Sequence, residues 1–119
     1  MKDCIFCKII EGVVPCTKVY ENEYVLAFAD INPATAGHTL VIPKTHCDDI
    51  FDMDEEVAAR IFESVPAISK LLKETHNCEG LNIVNNNGSI AGQIVFHWHL
   101  HLVPRYQNDE FAKKFWNYN

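Results

Sequence analysis

Three histidines stand at strict period two in Phe96-His97-Trp98-His99-Leu100-His101-Leu102-Val103, half of the six in the chain. Imidazole changes charge near neutral pH without a large shift, so such a row suits nucleophilic or acid–base chemistry. It equally suits metal ligation by two or three of the rings. Side chains on a strand alternate between faces. The spacing therefore predicts His97, His99 and His101 on one side, roughly 6.5–7 Å apart. It predicts Phe96, Trp98, Leu100 and Leu102 on the other side, facing the core.

A second constellation opens the chain. Cys4 and Cys7 form a C-x-x-C pair, the spacing of metal or redox chemistry. A structural zinc takes four ligands, and two thiolates on one turn supply half of them. His46 and one histidine of the row are the candidate nitrogens. His38 begins a strand and His76 ends a polar helix, which makes both weaker candidates. Cys16, Cys47 and Cys78 are isolated and expected to be small buried side chains.

The elements that must position these groups follow from pattern. Residues 4–11 read as a short helix stopped by Gly12, with Ile5, Ile9 and Phe6, Ile10 paired at i,i+4. Residues 17–20 and 24–29 read as a hairpin across Glu21-Asn22-Glu23. Asp30 to Gly37 is a loop, and 38–42 is a strand halted by Pro43. A long helix begins near Asp52, which can cap it with Glu55 three residues on. Its seam is Val57, Ile61, Val65, Ile68 and Leu72, widened by Ala58, Phe62 and Leu71. Pro66 within this seam is expected to kink or split the helix. Strands follow over 81–86 and 95–103, the latter ended by Pro104. The tail from Arg105 carries Phe111, Phe115, Trp116 and Tyr118, which need a packing partner. The pattern predicts one α+β domain over 1–119: a mainly antiparallel sheet of about five strands, helices on one face, and residues 105–119 as a tail.

Composition narrows the function classes. The chain has 119 residues, 48% hydrophobic and 22% charged, enough for one core. Ten basic against sixteen acidic side chains give a net charge of −6, which disfavours nucleic acid and anionic membrane as partners. No apolar run is long enough to span a bilayer, and the first residues do not read as a signal peptide. The expected compartment is the cytoplasm, with its five cysteines reduced.

The motifs together resemble the histidine triad (HIT) family, in its Hint-like, zinc-binding branch. The family signature, His-φ-His-φ-His-φ-φ with φ apolar, stands here as His97-Trp98-His99-Leu100-His101-Leu102-Val103. Cys4-Ile5-Phe6-Cys7-Lys8-Ile9-Ile10, Ala27-Phe28-Ala29-Asp30-Ile31-Asn32-Pro33, Gly37 to His46 and Ala91-Gly92-Gln93 match further landmarks in order. The resemblance implies a nucleotide hydrolase or transferase, of nucleoside phosphoramidase or dinucleoside polyphosphate hydrolase type. His99 would attack the α-phosphorus, form a covalent nucleotidyl-histidine and release a nucleoside monophosphate. His99 would need a fixed acceptor for its other nitrogen, such as a backbone carbonyl. His101, Gln93, backbone at Gly92, and Asn86 would hold the phosphate end. Asp30 would accept from the ribose hydroxyls, although by itself it reads as a turn cap before Asn32-Pro33. Phe6, Ile9, Phe28 and Ile31 would wall a slot for a purine, of AMP or GMP. Cys4, Cys7, His46 and His97 would hold a structural Zn2+ that the chemical step does not need. A homodimer with a shared sheet is also implied. Two positions depart from the family: Ile94 stands where many members carry a hydroxyl that helps protonate the leaving group, and Trp98 replaces an aliphatic residue. Two other readings compete: a purine nucleotide sensor or scaffold with little turnover, and a zinc hydrolase with His97, His99 and His101 as ligands.

Overall fold

Val25 to Ala29 and Thr39 to Pro43 are almost wholly apolar, so strands built from them need cover on both faces. The computed structural model, which describes residues 3–107 and 109, meets that need with a helix on each side. The strands are β1 (Lys18–Glu21), β2 (Val25–Ala29), β3 (Thr39–Pro43), β4 (Gly80–Val84) and β5 (Leu100–Arg105). They form one antiparallel sheet in the order β1-β2-β3-β5-β4. The helices are α1 (Ile5–Ile10) and α2 (Glu55–His76). The fold is α+β, as the sequence pattern predicts.

Alternation along the strands sorts the core into two layers. Val25, Ala27, Val41, Trp98, Leu100 and Leu102 pack against Ile61, Val65, Ile68 and Leu72 of α2. Leu26, Phe28, Leu40 and Ile42 pack against Phe6 of α1. The expectation of helices on one face is thus corrected. Leu40 pairs with His101 across β3 and β5, which puts that histidine on the α1 side. Trp98 fills the α2 side, and its indole N–H has no partner among the described residues.

Local chemistry sets the element ends. The Asn22 carboxamide accepts from the Tyr24 and Val25 amides and closes the β1–β2 hairpin. The Cys4 sulfur accepts from the Cys7 amide and starts α1. Asp54, not Asp52, caps α2 by accepting from the Glu56 amide. Asp52 belongs to a preceding 3-10 turn, Ile50–Asp52, where it completes a reciprocal cap with Asp49. Asn77 ends α2 with φ +54°, a left-handed C-cap.

Four further expectations are corrected. α2 is not split at Pro66 but runs unbroken for 22 residues. Pro66 and Phe62, whose carbonyl loses its donor, are both exposed, so water can satisfy the freed oxygen. Strand β5 begins at Leu100 rather than at 95. At the register that pairs Val41 with Leu100, Pro43 would come opposite Trp98, and a proline has no N–H to continue the ladder. The Trp98 amide donates instead to the Cys47 carbonyl. Phe96, ahead of this strand, is 44% exposed rather than in the core. Cys47 and Cys78 are buried as expected, whereas Cys16 is exposed. The aromatic tail residues Phe111, Phe115, Trp116 and Tyr118 lie outside the described residues.

Candidate active site and metal cluster

His99 sits just before β5, buried on the α1 side, with its Nδ1 2.8 Å from the His97 carbonyl oxygen. A carbonyl only accepts, so Nδ1 carries the ring proton and Nε2 keeps its lone pair. Burial lowers its pKa and so favours the neutral ring. The ring meets Phe6 edge-on at 5.2 Å between centroids and His101 at 4.9 Å. A neutral imidazole with a bare Nε2 can act as nucleophile or base. The expected carbonyl acceptor is therefore in place.

His101 is set by a chain of donors. The Ala34 amide donates to His38 Nδ1 at 3.0 Å, which forces the His38 proton onto Nε2. That Nε2–H then donates to His101 Nδ1 at 3.0 Å, leaving the His101 proton on its Nε2 as a donor outside the relay. Burial first, then the neighbouring His99 and His38, lowers His101 to about 4. Asp30 closes the group, 3.5 Å from His38 Nε2, while its other oxygen accepts from the Asn32 amide. Asp30 is thus also the turn cap that sequence suggests. Asp30, His38 and His101 lie as close as metal ligands do. They do not suit a cation, because the atom of His38 that faces the group already bears the proton.

Cys4, Cys7, His46 and His97 behave differently. Their ligand atoms all lie within 4.8 Å of one another. His97 Nε2–H donates to the Pro43 carbonyl at 2.9 Å, and His46 Nε2–H to the Asp48 carboxylate at 2.9 Å. Both Nδ1 lone pairs therefore face inward, 3.1 Å apart. Sulfur–nitrogen distances are 3.3 Å for Cys4–His97, 3.5 Å for Cys7–His97 and 3.4 Å for Cys7–His46. Tetrahedral zinc, with bonds of about 2.05 Å to nitrogen and 2.3 Å to sulfur, needs edges of about 3.3 and 3.6 Å. The donor set, the edges and the outer hydrogen bonds all fit zinc. Burial, then the adjacent Cys4, raises the Cys7 thiol, so a thiolate there calls for a cation. His97 is fully buried and lowered to about 4, chiefly by that burial. A groove of about 620 Å3, bounded by Cys4, Ile5, His46, Ile94 and Phe96, opens beside this cluster rather than at His99.

The remaining expected site residues are placed unevenly. Phe6 and Phe28 meet edge-on at 5.5 Å and are buried, with Ile9 packed beside them. Ile31 is 90% exposed. The buried Gln93 side chain donates to the Asp48 and Val95 carbonyls and accepts from the Gly88 amide. Its amide hydrogens thus both donate within the protein. Gly92 has φ +98°, and the Asn86 carboxamide lies 3.7 Å from where a Cβ would stand. Sequence reasoning weighed His38 only as a weaker metal ligand and gave it no part beside His101. Its signal was register: it lies two residues before Leu40, the partner of His101, and so on the same face.

A family model described as "HIT domain" matches residues 11–108. "Protein hit" of Bacillus subtilis is 52% identical over 105 residues, 88% of this chain and 72% of that protein. "Adenosine 5'-monophosphoramidase hnt1" of Schizosaccharomyces pombe is 42% identical, covering 92% of this chain and 78% of that one. "Adenylylsulfatase HINT3" of Arabidopsis thaliana is 41% identical, covering 90% and 54%. The crystal structure of a Zn-bound histidine triad family protein from Mycobacterium smegmatis superposes with a TM-score of 0.86 at 43% identity, covering 92% of this chain and 79% of that one.

Proposed function

The chain belongs to the HIT (histidine triad) family, and on that premise we propose that it is a nucleotide hydrolase or transferase acting at an α-phosphate through His99. The observation that carries this reading is the His99–His97 carbonyl bond, which leaves Nε2 bare beside the His101 donor. His99 Nε2 bonds to phosphorus as the bond to the leaving group breaks, giving a nucleotidyl-histidine. Water then cleaves the phosphorus–nitrogen bond and releases the nucleoside monophosphate. The His101 Nε2–H donates to the phosphoryl oxygens as charge develops there. His38 holds that proton on the correct nitrogen. Asp30 accepts from the ribose, and Phe6 and Phe28 meet the base. The two relatives named for their activities share an adenylyl group, which supports a purine nucleotide as the substrate.

Cys4, Cys7, His46 and His97 are proposed to hold zinc with four protein ligands and no open position. Bound there, the ion supplies a structural tie between α1 and the segment carrying His99. A homodimer joined at a sheet edge belongs to the same proposal, and size exclusion tests it. A second reading, a purine nucleotide sensor with little turnover, is favoured by the spent Gln93 amide and by Ile94, which has no proton to give. Mass spectrometry of protein quenched during turnover of an adenosine phosphoramidate decides between them. The hydrolase reading expects one nucleotidyl group on His99, lost in His99→Ala while AMP still binds. Tight AMP binding with no adduct and no turnover across phosphoramidates and dinucleoside polyphosphates favours the sensor.

A further inference from the structure

The β4–β5 ladder ends at Val84 opposite His101, so His99 lies beyond its last pair. A row of side-chain amides takes over there. Asn85 Nδ2 donates to the His99 carbonyl at 2.9 Å. Asn87 Nδ2 donates to Asn85 Oδ1 at 2.7 Å. The Ile50 amide, at the start of the 3-10 turn, donates to Asn87 Oδ1 at 2.7 Å. The two backbone ends dictate every amide orientation in between. A carbonyl accepts only, so Asn85 must present nitrogen to His99 and oxygen to Asn87. Asn87 must then present nitrogen to Asn85 and oxygen to the Ile50 N–H. Each amide both accepts and donates, so the bonds polarise one another in one direction.

We propose that Asn85 and Asn87 are positioning residues for His99. The proposal rests on the reading of His99 as the nucleophile. The ring is tied to the backbone of 97–99 by its own Nδ1–H bond, so it goes where that backbone goes. The amide row replaces the missing ladder and holds the peptide after His99 from swinging. Neither asparagine need touch the substrate.

The test compares wild type with Asn85→Ala, Asn85→Asp and Asn87→Ala on an adenosine phosphoramidate. Asn85→Ala is expected to lower kcat about 10- to 100-fold, the scale of a reacting group displaced by an ångström. Its KM should stay within about two-fold. Asn85→Asp cannot donate when ionised, and regains a donor when protonated. Its activity relative to wild type should therefore recover as pH falls toward about 4, where an ordinary aspartate becomes protonated. Asn87→Ala, farther out, gives a smaller loss and remains usable if the Asn85 variants fold poorly. An unchanged kcat in folded Asn85→Ala or Asn87→Ala overturns the proposal. If wild type itself turns over no nucleotide, the hydrolase reading fails separately. Ring-nitrogen NMR of 15N-histidine-labelled protein then decides positioning. The His99 signals should shift in Asn85→Ala while those of His38 stay, and unshifted His99 signals overturn the idea.

Discussion

Removing metal from the Cys4, Cys7, His46 and His97 cluster should destabilise the protein strongly. The reason is visible in the tautomers. His46 and His97 have both committed their Nε2 protons outward, so two Nδ1 lone pairs face each other at 3.1 Å. Without a cation, only the weak thiol donors of Cys4 and Cys7, at 3.3 and 3.4 Å, can meet those lone pairs. His97 resists protonation, being fully buried with its pKa lowered to about 4. Binding to the folded state alone stabilises by about 4 kcal/mol when free zinc is a thousand times its Kd. At about 4 °C per kcal/mol for a chain of this size, the melting temperature should fall by about 15 °C on chelation. The groove beside Cys4 and His46 gives a chelator access. The assay is elemental analysis together with thermal melts, with and without chelator. One zinc per chain is expected in wild type and in His99→Ala, and none in the Cys4→Ser, Cys7→Ser double variant. An unchanged melt on chelation would refute the reasoning, as would full zinc in the double variant. Zinc lost with His99→Ala instead would revive a metal centre made of the histidine row.

His38→Phe keeps a ring but removes both relay bonds, leaving the Ala34 amide and His101 Nδ1 unpaired. It should cost about 1–3 kcal/mol in a urea melt and lower kcat more than it raises KM in steady-state assays. Pro66→Ala restores a helical donor at an exposed position and should stabilise by up to about 3 kcal/mol, measured by the same melt. His101 has a folded pKa of about 4, below its unfolded value of about 6.5, so the unfolded state binds the proton first. Its contribution to stability is full above about 6.5 and is lost as pH falls toward about 4. His101→Gln should therefore lose less stability than wild type over that interval, and equal losses in a pH series of melts would count against it.

Much of the fold was legible because it rests on local patterns. The i,i+4 pairs over residues 4–11 and the seam Ile61, Val65, Ile68, Leu72 are periodicities, and α1 and α2 formed where they lie. The cysteine pair with His46 and one histidine of the row was legible as a zinc-type donor set, and the cluster assembles it. Boundaries were less legible. The capping chemistry at Asp49, Asp52 and Asp54 offers several starts, and only the hydrogen bonds choose among them. The helix on each face was misjudged because strands as apolar as β2 and β3 do not reveal which layer covers which side.

Residue types and spacing alone determined that three imidazoles and two thiols would be held by an α+β scaffold. Tertiary structure decided what each imidazole does, because a ring's role depends on which of its nitrogens bears the proton. That proton is placed by partners far away in the chain: Pro43 for His97, and His38, itself set by Ala34, for His101. His99 owes its bare Nε2 to the carbonyl two residues before it, and the peptide behind it to an amide row begun at Ile50. Hydrogen-bond donors and acceptors act over about 3 Å, so such assignments exist only once the chain has folded.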